Sequence, residues 1–286
     1  MPKNIKKDIS QAKSLIQSAD AILIVTGAGM SVDSGVPTYR GSNGIWTKSI
    51  QIGNETFSYD EISSLNMWKT RPHLAWGFKT HFYNVMNNLE PHEGYHHLLS
   101  YLNNHCDYFV CTSNIDGYFK KSNYDPNKIY EVHGSVNYLQ CMNKECNTRN
   151  GITEAFNLPE YDINTFIATS LPKCSFCGNM SRPNVSMFGD VEFYGKPYEH
   201  QRRRLNEWLD NIKKNDKSLL ILEIGCGINP HSLRMNNGKM MSGEWKMPIF
   251  HNNIGTIRIN PNDEQYDDEN TIHINMGAKN GIKALF

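Results

Sequence analysis

The sequence predicts an α/β protein: a doubly wound parallel sheet with a smaller region inserted into it. Two observations carry that prediction. Short apolar runs, AILIV (21–25), YFVCT (108–112), SLLILEIG (218–225) and GTIRIN (255–260), recur with helical patterns between them. Strands alternating with helices build sheets covered on both faces. One stretch, from about 141 to 182, breaks the rhythm, being rich in Asn, Pro and Cys with little periodicity. It reads as an insert held by something other than its own hydrophobic core.

Taken in order, residues 8–19 (DISQAKSLIQSA) carry Ile9, Ala12, Leu15 and Ile16 at helical spacing and predict an amphipathic entry helix. The run 21–25 is continuously apolar rather than alternating, as expected of a parallel strand buried on both sides. Residues 47–89, with Trp68, Trp76 and Phe78, read as mostly helical after an irregular start, and GYHHLLSYLNN and YEHQRRRLNEWLDNIKK read as helices. The expected division assigns 1–46, 85–138 and 183–286 to the sheet domain, and 47–84 with 139–182 to a small helical, four-cysteine domain.

Composition narrows the function classes. Lys+Arg and Asp+Glu both total 29 in 286 residues, so the formal net charge is zero. This argues against a general nucleic-acid or anionic-membrane surface. The local patch Arg202, Arg203 and Arg204 reads as a solvated helix face. The N-terminal apolar run is too short for a signal-peptide core, and no stretch approaches a membrane span. A soluble, cytoplasmic protein with neither membrane nor direct nucleic-acid binding is expected. Without a secretory signal, the seven cysteines suggest thiols or metal ligands before disulfides.

The stretch VTGAGMSVDSGVPTYRG (25–41) follows the first strand directly. Gly27 and Gly29 suit a turn where backbone approaches a pyrophosphate at a helix N-terminus. The next glycine, Gly35, comes six positions later rather than three, and WTKSI offers no acidic residue for a ribose hydroxyl. Spacing alone leaves both a nucleotide site and a plain tight turn open. Cys141 and Cys146 (C-x4-C) and Cys174 and Cys177 (C-x2-C) are two pairs separated by 27 intervening residues. Two such pairs complete an all-thiolate tetrahedron suited to zinc, and because it is closed, the metal is structural rather than water-activating.

TSNIDGYF (112–119) and YEVHGSV (130–136) place polar groups at strand ends, where ligands gather in open α/β sheets. Asn114 and Asp116 offer an amide and a carboxylate. His133, before the small Gly134, is suited to act as a base near neutral pH, although a single His, one of 11 here, is by itself more often a structural or surface residue.

In order along the chain stand GAGMSVDSGVPTYRG, TSNID, VHG, the two cysteine pairs, MFGD (187–190), GCG (225–227) and IN (259–260). This series resembles the sirtuin family of NAD-dependent protein deacylases over roughly 21–260. The resemblance implies a Rossmann-like domain with a small zinc-bearing domain, NAD and an acyl-lysine protein or peptide meeting in the cleft between them. It implies that Gly27, Ala28, Gly29, Tyr39 and Arg40 hold NAD, together with Ser113, and that Asn114 and Asp116 line the nicotinamide and ribose pocket. His133 is then the catalytic base, Phe188 and Gly189 pair with the substrate backbone as an added strand, and Gly225, Cys226 and Asn260 face the adenosine half.

Three places depart from the common family pattern: Thr38 where Asp is usual, Ser113 where Gln precedes the Asn, and Cys226–Gly227 where Thr-Ser is usual. An ADP-ribosyltransferase or an NAD glycohydrolase would keep the same motifs, and so would a non-catalytic NAD or ADP-ribose binding module, except that it needs no base. The loop YRGSNGIW resembles that of the desuccinylase branch, but the Tyr and Arg of its acyl pocket fall here on Lys79 and Phe82. A preference for neutral acyl groups follows, with Lys79 still able to offer a charge.

Overall fold

The computed structural model describes residues 5–37, 49–155, 157–187, 189–227, 233, 235–236, 239–240, 253–261 and 271–286. The chain opens with α1 (Ile5–Gln17), β1 (Ala21–Thr26) and the short α2 (Gly29–Val32). A first excursion contains the hairpin β2 (Ile50–Ile52) and β3 (Glu55–Phe57), then α3 (Tyr59–Ile62), α4 (Leu65–Thr70) and α5 (Pro72–Asn87). The sheet resumes through α6 (Glu93–His105), β4 (Asp107–Thr112), α7 (Tyr118–Lys121) and β5 (Ile129–Glu131). A second excursion holds β6 (Gly134–Cys141), α8 (Lys144–Asn150), β7 (Thr153–Glu154) and β8 (Ser181–Val185). The chain continues with α9 (Lys196–Lys214), β9 (Leu219–Ile224), the ribbon β10 (Met235–Asn236) and β11 (Lys239–Met240), then β12 (Asn253–Ile259), β13 (Thr271–Ile274) and α10 (Ala278–Leu285).

Six strands form one sheet in the order β13-β12-β9-β1-β4-β5, and every pairing is parallel. The chain runs outward from β1 through β4 to β5, then returns to β9 on the other side. The order therefore reverses between β1 and β9, a topological switch point. All six residues of β1 are buried. Ile22 and Ile24 pack under α1, α6 and α10 with Ile16, Leu98 and Ile282. Ala21, Leu23 and Val25 face the opposite layer, where α9 contributes Leu205, Leu209 and Ile212. That two-sided cover is why the run is continuously apolar, as the sequence predicts.

The cysteine-bearing segment differs from its sequence-based expectation in one respect. It shares an apolar core with the first excursion, in which Trp68 and Trp76 (ring centroids 5.3 Å apart) pack with Tyr59, Ile62, Phe78, Leu139 and Ala168. The contact is close: a Cβ on Gly77 of α5 would lie 1.9 Å from the Phe166 carbonyl oxygen. Sequence periodicity within 141–182 is weak because the apolar partners come from 52–78, a segment distant in the chain. Among the described residues no helix is long and apolar enough to cross a membrane.

Candidate active site

Three glycines interlock at the switch point. A Cβ on Gly27 would stand 2.7 Å from the Gly225 oxygen, one on Gly29 2.6 Å from the Gly225 Cα, and one on Gly225 2.4 Å from the Gly29 carbonyl carbon. Gly225 also has φ +62°, a conformation open to glycine at little cost. The Gly29 amide donates to the Gly225 carbonyl (3.0 Å) and the Gly27 amide to that of Ile224 (3.1 Å). The first role of these glycines is thus to let the two strand-end loops touch.

Beyond β4, the loop 113–117 is pinned on both sides. Ser113 N donates to the Thr26 carbonyl (3.0 Å), and Val136 N to that of Ile115 (3.0 Å). The loop presents Asn114 and Asp116 to Ser31 of α2. Ser31 Oγ lies 2.6 Å from Asp116 Oδ2 and 3.0 Å from Asn114 Nδ2. Burial raises the Asp116 carboxyl above its ordinary range, opposed by hydrogen bonds from Ser31 and from the Tyr118 amide (2.9 Å).

His133 occupies the tight turn joining β5 to β6 and is half-buried. It lies two residues past Glu131, whose register partner is Thr112, itself two residues before Asn114. His133 and the Asn114 loop therefore leave neighbouring strand ends on the same edge of the sheet. Gly134 has φ +82°, and a Cβ there would strike the Asn184 carbonyl at 2.2 Å, so glycine must follow the histidine. The His133 carbonyl accepts the Ser186 amide (2.9 Å), tying the turn to the segment that leads to Gly189.

At the other expected positions the outcomes vary. Cys226 is buried with Sγ turned toward the Val25 and Ile224 carbonyls, leaving its backbone to the crevice, where the Asn260 amide donates to the Cys226 carbonyl (3.2 Å). Gly189 takes φ +62° with open space around its Cα. Asp190 beside it is locked by two contacts from Arg182 Nη2 (2.9 and 2.8 Å). Ser113 is half-buried, its hydroxyl turned back to the Thr26 carbonyl at 3.3 Å. Tyr39, Arg40 and Phe188, with Thr38, lie outside the described residues.

An apolar cavity is lined by Val36, Ile115, Val136 and Val185 together with Tyr59, Trp76, Phe82 and Leu158, with Lys79 at its wall. The Lys79 ammonium stands 5.6 Å from the Tyr59 ring centroid, a cation–π arrangement.

The four cysteines converge as their spacing predicts. The Sγ atoms of Cys141, Cys146, Cys174 and Cys177 all lie within 4.8 Å of one another. Cys141 and Cys177 are 3.5 Å apart, and Cys146 and Cys174 3.6 Å. A zinc ion with four bonds of about 2.3 Å needs sulfurs roughly 3.8 Å apart, so this set fits. Asn143 N, Asn150 Nδ2 and Asn179 Nδ2 donate to the sulfurs of Cys141, Cys146 and Cys177, a shell suited to thiolates. The four cysteines are positioned to bind a structural metal such as zinc.

Sequence reasoning missed Ser31, the hub joining Asn114 to Asp116, and Tyr95, whose Oη lies 3.1 Å from Ser31 Oγ. Ser31 was findable as the polar residue ending GAGMS. Nothing local marks Tyr95, 64 residues away.

The Sir2 family model matches residues 27–214. The NAD-dependent protein deacetylase of Bacillus subtilis is 34% identical over 189 residues, covering 63% of this chain and 67% of that protein. The NAD-dependent protein deacylase of Thermococcus kodakarensis is 29% identical over 182 residues, 64% of this chain and 65% of that protein. A Fusarium oxysporum protein named a probable bifunctional ADP-ribose hydrolase/ADP-ribosyltransferase is 27% identical over 86% of this chain, and the match spans 42% of its length. Among solved structures, a mutant Sir2 homologue in complex with ADP-ribose superposes with TM-score 0.67 at 19% identity, covering 96% of this chain and 94% of that one. A Sir2 homologue–NAD complex gives 0.64 at 18%, covering 96% and 91%. At these identities the structural likeness is one of fold.

Proposed function

The chain belongs to the Sir2 family, and from that premise we propose that it is an NAD-dependent protein-lysine deacylase, with deacetylation as its leading activity. The observation that carries this reading is the grouping of His133, Asn114 and Asp116 at neighbouring strand ends, with Ile115 of the Asn114 loop and Val136 of β6, just past His133, walling the apolar cavity. The relatives' names support it.

NAD, when bound, supplies an activated nicotinamide–ribose bond, so the hardest chemistry resides in the dinucleotide. The residues of this chain align it, exclude water and move one proton. Asn114 and Asp116, oriented through Ser31, line the pocket for nicotinamide and its ribose. His133 takes a ribose hydroxyl proton during acyl transfer to ADP-ribose. Gly27, Ala28, Gly29, Tyr39, Arg40 and Ser113 hold the phosphates and ribose, while Gly225, Cys226 (through its backbone) and Asn260 meet the adenosine half. Phe188 and Gly189 give the acylated peptide backbone a strand to pair with, and the apolar cavity surrounds the acyl chain. Its wall favours neutral acyl groups, with Lys79 the one cation lining it among the described residues. The zinc of the four-cysteine cluster is structural and takes no part in the reaction.

The division into a sheet domain (1–46, 85–138, 183–286) and an inserted domain (47–84, 139–182) belongs to this proposal, as does a cytoplasmic setting without nucleic-acid binding. Mass spectrometry of the products from NAD and a mixed acyl-peptide library tests the activity. Acyl-ADP-ribose and one nicotinamide per deacylated lysine are expected, and His133→Ala stops acyl transfer. Unchanged turnover in that variant removes the base from the scheme. The second reading, ADP-ribosyl transfer or NAD hydrolysis, is favoured by Ser113 and by the name of the Fusarium relative. ADP-ribose on protein, or free in solution, in place of acyl-ADP-ribose would establish it.

A further inference from the structure

Ser31 Oγ has three neighbours: Asp116 Oδ2 at 2.6 Å, Asn114 Nδ2 at 3.0 Å and Tyr95 Oη at 3.1 Å. A hydroxyl has one proton to give and two lone pairs to fill. With Asp116 ionised, the carboxylate takes that proton at the shortest of the three distances. The Asn114 amide fills one lone pair, so Tyr95 must donate its phenol proton to the other. The order of protons runs from Tyr95 to Ser31 to Asp116.

We propose that Tyr95 is a positioning residue for this site: its phenol holds the Ser31 hydroxyl in the one orientation that donates to Asp116. The inference rests on the reading of Asp116 as a functional group. Tyr95 is fully buried and its ring is fixed by His92, Phe119 and Tyr118 at centroid distances of 4.9, 5.0 and 6.2 Å. Its helix is clamped to the helix that carries Ser31. His92 N donates to Ser34 Oγ (2.8 Å), and His92 Nε2 donates to the Met30 carbonyl (2.9 Å). His92 Nδ1 accepts the Gly94 amide at 3.0 Å, so the imidazole is neutral with its proton on Nε2. The Tyr95–Ser31 distance is therefore set by two packed helix ends rather than by a mobile side chain.

The groups that bear on Asp116 are Ser31 from α2, Tyr95 from α6, Tyr118 from α7 and Glu131 from β5, the last paired with Lys120 at 2.6 Å. Burial and the Glu131 charge raise the carboxyl, and the Ser31 hydrogen bond lowers it. Linked hydrogen bonds strengthen one another. Loss of the phenol therefore weakens the Ser31 bond and raises Asp116 further.

Tyr95→Phe in the full chain keeps the ring and its packing, which makes it the decisive variant. Carbon-13 NMR of labelled aspartate, without NAD, is expected to show Asp116 titrating at higher pH than in the wild type. In turnover, kcat/KM for NAD falls about threefold to tenfold, its acid limb moves the same way, and KM for the acyl peptide is unchanged. In a Ser31→Ala background the same change has no further effect on the Asp116 titration, because the relay is already cut. An Asp116 titration coincident with the wild type, or an equal shift in both backgrounds, overturns the proposal. The titration requires no catalysis, so it judges Tyr95 by itself; wild-type nicotinamide release by Asp116→Asn would instead overturn the functional reading.

Discussion

The parallel sheet and the four-cysteine module are both buried frameworks, but different interactions hold them. In the sheet, β1 and β9 are buried in full, and they are apolar along their length apart from Thr26 and Glu223 near their ends. In the module, Cys141, Cys146 and Cys174 form a small buried cluster of their own, and the apolar core nearby is built mainly from 52–78. A sheet of this kind folds by burying area, whereas the cysteine knuckle requires four sulfurs to be brought together and kept deprotonated. The comparison teaches that one region is held by solvent exclusion, whereas the other adds a sulfur set built to be closed by a metal, so they should fail under different insults.

The largest separation is expected from metal removal. Structural zinc contributes about 10–16 kcal/mol in isolated finger peptides. Chelation, or Cys174→Ser, is expected to abolish amide protection between 141 and 182 while the sheet strands keep theirs, read by hydrogen exchange with mass spectrometry. Loss of protection in α3–α5 as well would show that the two excursions are one cooperative unit. Retained protection throughout would break the comparison.

The converse experiment strikes the sheet. Arg258 and Glu223 are register partners on β12 and β9 and form a buried ion pair at 2.8 and 3.2 Å. Arg258→Met takes the guanidinium away from the buried Glu223 carboxylate and is expected to cost about 3–5 kcal/mol, much of it recovered when Glu223→Leu is added. Urea unfolding of the single and double variants measures both, and a double variant no better than the single refutes the explanation. Gly225→Ala comes next, at about 2–4 kcal/mol for left-handed backbone and overpacking against Gly29. It is expected to weaken NAD binding too, since it forces the two strand-end loops apart; calorimetric affinity equal to wild type would contradict that.

The smallest effect concerns Asp116. Its folded carboxyl is raised above the ordinary aspartate value. The folded state therefore holds a proton that the unfolded chain releases, and stability falls as pH rises from the ordinary carboxylate value through the raised one. Asp116→Asn removes that slope, so the variant is expected to be slightly more stable than wild type at neutral pH and inactive. Parallel stability–pH curves for the two proteins would show that Asp116 is not strained in this way.

Much of the site was legible from residue order. Gly27 and Gly29 followed an apolar strand, and Asn114 and Asp116 ended another, because a parallel sheet delivers strand ends to one edge whatever the loop lengths. The cysteine cluster was legible because a metal constrains local spacing. Ser31 was harder, since a serine in a glycine turn has many uses, and Tyr95 was not legible, because its role depends on where α6 packs. The cavity likewise draws Val36, Phe82, Ile115 and Val185 from four separate segments, with no shared period to reveal it.

By itself the sequence determined the strand–helix alternation, the four cysteines positioned for a metal and the polar residues at the strand ends, all of which follow from periodicity or short spacing. Only the tertiary structure decided that the glycines of 27–29 close on Gly225, that the cysteine segment leans on the helices of 52–78, and that one serine links tyrosine, asparagine and aspartate. These are contacts between residues tens to hundreds of positions apart. Packing, which no local pattern encodes, brings them within hydrogen-bonding or van der Waals range.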